Sequence, residues 1–67
     1  MIILNINGES RQFQNNLNVA ELVAVLGYTG KRIALERNGE IVPRSTYATV
    51  QLADGDKLEV VVAVGGG

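Results

Sequence analysis

Two Asn-Gly pairs, Asn7-Gly8 and Asn38-Gly39, do most to limit what this chain folds into. A two-residue hairpin turn needs positive φ at both central positions, and Asn followed by Gly tolerates that best. Each pair lies among short stretches containing Ile, Leu and Val, so each predicts two antiparallel strands. Ahead of the first, Ile2, Leu4 and Ile6 alternate and share one face. Glu9 to Gln14 is the expected return strand, with Phe13 as its inward anchor. Around the second, Ile33 to Arg37 leads in and Glu40-Ile41-Val42 leads back. Pro43 lacks an amide hydrogen, which ends that pairing or confines it to an edge.

Between the hairpins the period changes from two to that of a helix. Val19, Leu22, Val23 and Leu26 fall on one face of a helix expected over Asn18 to Leu26. Asn18 is suited to cap it, and Glu21 three residues on completes a capping-box pattern. Gly27 is the stop. Tyr28 to Arg32 reads as a loop, Ser45 to Leu52 as a short helical turn running into an extended piece, and Asp54-Gly55-Asp56 as a turn. Lys57 to Val64 is the last strand and the most apolar. The first and last strands, both rich in branched residues, are placed side by side in the sheet centre. A short helix is marginal alone and must cover a sheet. The order predicts an α+β chain of the β-grasp, ubiquitin-like type: a mixed sheet of four to five strands under one main helix. Residues 1–64 form the expected domain and 65–67 a glycine tail.

A chain of 67 residues buries only about 60 % of its unfolded surface and has no room for a deep cleft of its own. It has no cysteine, which excludes disulfides and thiolate metal sites, and no histidine, the commonest general base. Ser10 and Ser45 therefore have no imidazole to activate them. Asp54 and Asp56 flank Gly55 and read as turn residues ahead of an acid–base or metal pair. The net charge is −1 and the six Lys and Arg are scattered, against a nucleic-acid partner. Met1-Ile2-Ile3-Leu4 is apolar, carries no basic flank and is interrupted at Asn5 and Asn7, so neither a signal peptide nor a membrane span is expected. The expectation is a soluble cytoplasmic protein that is not an enzyme and binds no cofactor or metal.

The last strand and the glycines after it carry the functional signal. Leu58, Val60 and Val62 alternate toward the core, and Val61 and Ala63 point the other way. A sheet covered on one side should be polar on the other. Apolar Val61 and Ala63 thus mark a candidate docking face, or a strand covered by a neighbouring loop. Arg44 is a candidate contact beside the alternative of a solvated arginine, and Tyr47 reads equally as core anchor or exposed contact. Gly65-Gly66-Gly67 adds nothing to a core. It is either a frayed end or a working tail: with no side chains it threads a narrow channel, and three extended residues reach roughly 10 Å. Ordering it costs on the order of 1–2 kcal/mol per residue, which a docking face must offset.

The whole chain resembles the ThiS family, the sulfur carriers of thiamine thiazole synthesis. The resemblance rests on the apolar first strand with its Asn-Gly turn, on Val19-Ala20-Glu21-Leu22, and on Ile33-Ala34-Leu35-Glu36-Arg37-Asn38-Gly39-Glu40-Ile41-Val42-Pro43-Arg44-Ser45. It continues in Leu52-Ala53-Asp54-Gly55-Asp56 and the terminal glycines, of which Gly65 is one more than the family's Gly-Gly. The resemblance implies a non-catalytic carrier whose Gly67 carboxylate is adenylated by a ubiquitin-activating-like enzyme using ATP and magnesium, then converted to a thiocarboxylate. A sulfur donor such as a cysteine desulfurase and a thiazole synthase are the further implied partners. Gly66 becomes a steric requirement, and Val61, Ala63 and Arg44 candidate docking residues. Related alternatives are a carrier for molybdopterin synthesis and a ubiquitin-like modifier. A plain binding module with an inert tail is the alternative of another class.

Overall fold

The computed structural model describes residues 1–63. Its elements are β1 (Ile2–Ile6), β2 (Glu9–Phe13), α1 (Val19–Val25), β3 (Ile33–Arg37), β4 (Glu40–Ile41), a 3-10 turn at Arg44–Thr46, and β5 (Lys57–Val62). Both Asn-Gly pairs make the turns their sequence demands. Asn7 and Asn38 take φ of 52° and 51°, and the glycines after them 85° and 86°. The β1–β2 ladder closes in antiparallel register from Ile6↔Glu9 to Ile2↔Phe13. The β3–β4 ladder is short, Arg37↔Glu40 and Glu36↔Ile41, because Pro43 follows two residues later.

The five strands stand in the order β2-β1-β5-β3-β4. The first and last strands are neighbours, as expected, and run parallel from Asn5↔Lys57 to Ile6↔Leu58. β5 also pairs antiparallel with β3, from Arg37↔Leu58 to Ile33↔Val62. The sheet is therefore mixed and β5 is its central strand.

One helix covers one face. The Asn18 side chain accepts the Glu21 N–H at 2.8 Å, and the Glu21 carboxylate accepts the Asn18 N–H at 2.8 Å, so the capping box is complete. Val19, Leu22 and Val23 pack down on Leu4, Leu35 and Leu58 as one core with Ile2, Ile6 and Val60. Leu17, Val42 and Leu52 close that core from the connections, and Phe13 and Tyr47 pack half-buried against its margin. Tyr47, open in the sequence, is thus a core-edge residue. The stretch after Pro43 resolves into the 3-10 turn and then an isolated bridge, Asn18↔Gln51, that ties it to the start of α1.

Two expectations at the end of β5 need correction. Val62 is not core: it is 37 % exposed, whereas Leu58 and Val60 are buried. Its alternation is right, but the helical cover gives out before the strand does. The strand spans Lys57–Val62, so Ala63 is not part of it, and Val64, the expected end, lies outside the described residues.

Candidate functional site

The site is the far end of β5, and its geometry comes from unequal neighbours. Toward β3 the pairing is sustained: Ala63 N–H donates to the Arg32 carbonyl at 2.9 Å, one step beyond Ile33↔Val62. Toward β1 the partner strand stops at Ile6, opposite Leu58. There the turn residue Asn7 takes over with its side chain. Its Oδ1 accepts the Val60 N–H at 2.8 Å and its Nδ2 donates to the Val60 carbonyl at 3.1 Å. A carboxamide offers one donor and one acceptor, so it stands in for one more residue of β1. Strand alternation then turns the N–H and carbonyl of Val62 toward the side that β1 has left.

The other end of β5 is pinned by Asp56, a residue with 7 % exposure. Its carboxylate accepts the Arg37 Nε–H at 2.8 Å, the Ala53 N–H at 2.8 Å and the Asn38 Nδ2–H at 3.1 Å. Burial alone raises this carboxyl's pKa. The Ala53, Asn38 and Arg37 hydrogen bonds, with the Arg37 charge, outweigh it and leave the pKa below its ordinary value. Asn38 also accepts the Lys57 N–H on its Oδ1 at 2.9 Å. The two turn asparagines therefore hold the central strand at its start, Lys57, and past its midpoint, Val60. Asp54-Gly55-Asp56 is a turn, as read, with Gly55 at φ 88°, and its two acids differ: Asp54 accepts the Ile3 N–H at the surface while Asp56 is the buried hub.

The candidate docking residues separate into two places. Val61 lies on the uncovered face, 63 % exposed, in register with Ala34. Ala63 is exposed beyond it. Ile41 is exposed on the same face but is set apart by the cross-strand pair Glu36↔Glu59. Arg44 is elsewhere: it lines a groove of ≈ 170 Å³ on the helix side with Ala20, Val23, Tyr28, Lys31 and Tyr47. Gly65, Gly66 and Gly67 lie outside the described residues. Sequence reasoning missed the Asn7 contact with Val60, the Asp56 hub and the placing of Arg44 and Lys31 along one groove.

Comparison with known proteins fits this arrangement. The profile of the ThiS family matches residues 4–67. The chain belongs to the ThiS family. The crystal structure of a ThiS thiamine biosynthesis protein from Geobacter metallireducens superposes with a TM-score of 0.84 at 30 % identity, covering 98 % of this chain and 100 % of that one. The ThiS fold is thus the β-grasp expected from the order of elements. The Bacillus subtilis sulfur carrier protein ThiS is 33 % identical over 66 residues, 97 % of this chain and 100 % of that protein. A thiazole synthase from Paramagnetospirillum magneticum is 52 % identical over 64 residues, which is 96 % of this chain and 20 % of that enzyme. The chain thus spans about a fifth of the length of the thiazole synthases it matches. Among the described residues, no helix is long and apolar enough to cross a membrane.

Proposed function

We propose that this chain is a sulfur carrier of thiamine biosynthesis and that the carboxylate of Gly67 is its working group. The observation that supports the reading is the setting of β5: the sheet's central strand, held at Lys57 by Asn38 and at Val60 by Asn7, is followed in sequence by Ala63 and then Val64-Gly65-Gly66-Gly67. Its neighbours in fold and sequence include a protein named as a sulfur carrier, and longer thiazole synthases share the same segment.

The chemistry is chosen by what the chain lacks. A carboxylate is a poor electrophile, so an adenylating enzyme joins the Gly67 carboxylate to the α-phosphate of ATP and releases pyrophosphate. A persulfide on a donor such as a cysteine desulfurase attacks the acyl carbon, and AMP leaves with its bonding pair. The acyl disulfide so formed is cleaved by a thiol, giving the Gly67 thiocarboxylate and a protein disulfide. This chain has no cysteine, so that thiol comes from a partner. Thiazole synthase then accepts the sulfur. ATP and magnesium are handled by the adenylating enzyme, and the carrier's part is to dock, extend and present.

Intact mass spectrometry after incubation with the adenylating enzyme, ATP and a persulfide source tests this. The expected product gains the mass difference of one oxygen exchanged for sulfur, at Gly67. Mass on internal lysines of other proteins instead would make the chain a modifier. An unchanged chain in cells that need it for thiamine-free growth would remove the reading.

A further inference from the structure

The charge on this molecule is sorted along β5. Three of the six cations, Lys31, Arg32 and Arg44, gather at the exit end. Lys31 and Arg44 line one groove beside Tyr28, Ile33 and Tyr47, and among the described residues no acidic one lines it. Arg32 holds Ala63 through its carbonyl, and alternation along β3 places it on the opposite face, next in line to Ala34. The cations thus flank the strand exit on both faces of the sheet, and all three are exposed. The acids lie elsewhere. Glu36 and Glu59 face each other lower on the uncovered face, and Glu40 sits opposite Arg37. Asp54 and Asp56 are at the entry end, Glu21 is in the first turn of α1, and Glu9 is opposite Ile6, level with Leu58. The other cations are placed differently too: Arg37 is paired with Asp56, Lys57 begins β5 and Arg11 is opposite Leu4 on β1.

We infer that Lys31, Arg32 and Arg44 form a cationic collar that docks on an acidic rim around the channel of the enzyme that adenylates the tail. This rests on the carrier reading and adds its docking determinant. Reach decides what the collar meets. The four residues from Val64 to Gly67 extend roughly 13 Å, so with the tail extended the collar lies at the channel mouth, well short of a phosphate bonded to the Gly67 carboxyl. The surface it meets is therefore protein. Exposed charges act over about 10 Å at 0.1 M salt, and complementary patches of this kind act chiefly on encounter rate and orientation.

The test measures adenylation of the full chain by ATP–pyrophosphate exchange across a salt series. Wild type should lose kcat/KM steadily as salt rises. Lys31→Gln/Arg44→Gln should lower kcat/KM for the carrier about tenfold at low salt, with the gap closing at about 0.5 M. Arg32→Gln added to that pair should deepen the loss. Arg11→Gln/Lys57→Gln, with the same change in net charge, should stay near wild type. Wild-type turnover indifferent to salt, or equal losses in the two double variants, would overturn the collar. A rise confined to the KM for ATP would overturn it in favour of a nucleotide contact. Calorimetry of the unreacted chain with the same enzyme separates the two ideas. Salt-sensitive binding without any thiocarboxylate keeps the collar and removes the carrier. Salt-insensitive conversion to thiocarboxylate keeps the carrier and removes the collar, and absence of both binding and conversion removes both.

Discussion

Asp56 shows how much one side chain does in a protein with so thin a core. It receives three hydrogen bonds, one from an arginine, at the point where β5 begins. Replacing it by Asn keeps the shape but removes the charge and puts a donor where acceptors are needed. A loss of about 1–3 kcal/mol is expected in urea unfolding. The pH dependence has a definite sign. The carboxyl's folded pKa is lower than the ordinary 3.8, so its stabilisation is present above that value and is lost as pH falls through the folded pKa. Melting temperature should therefore drop on acidification below roughly pH 4 in wild type, and by less in Asp56→Asn. Equal slopes in the two proteins would show that other carboxylates govern acid unfolding. Sequence did not single out this residue, because an aspartate beside a turn glycine is sufficiently explained by the turn. Arg37 is 19 positions away, and only the β3–β5 pairing brings them together.

At the scale of elements, most of the arrangement was legible. The two hairpins, the helix with its capping box and the adjacency of β1 and β5 all arise from local pattern, because each is set by turn chemistry or by a periodicity of a few residues. Val62 fails for a different reason. Its period says inward, but whether an inward position is covered depends on how far α1 reaches over the sheet, and no spacing in β5 records that. The Asn7 contact is equally invisible, since a turn asparagine needs no second role. That role is testable by Asn7→Gly, which preserves the positive φ and deletes only the carboxamide. The Val60 amide should then lose protection in hydrogen exchange while the Ala63 amide, bonded to Arg32, keeps its own. Stability should fall by about 1–2 kcal/mol. Unchanged protection at Val60 would mean that water replaces Asn7 without loss.

At the scale of the molecule, body and tail are expected to respond separately to substitution. On the proposed function, Gly66→Ala adds a methyl group where the adenylating enzyme's channel would have to admit bare backbone, so adenylation should fall at least tenfold on the scale by which small misplacements slow enzymes. Circular dichroism and melting temperature should not move. Wild-type exchange with ATP and pyrophosphate would show that the channel tolerates a side chain. The outward position of Val61 was legible in its alternation, and the grouping of the charges was less so. Lys31 and Arg32 reach the end of β5 because β3 begins there, and Arg44, far off in sequence, joins Lys31 in one groove from the 3-10 turn. The parallel setting of β1 and β5 also has a mechanical meaning. A pull on the tail along the axis of β5 loads its ladders with β1 and β3 lengthwise, so their bonds must yield together instead of one at a time. The sheet is therefore built to bear a load on this strand without unravelling.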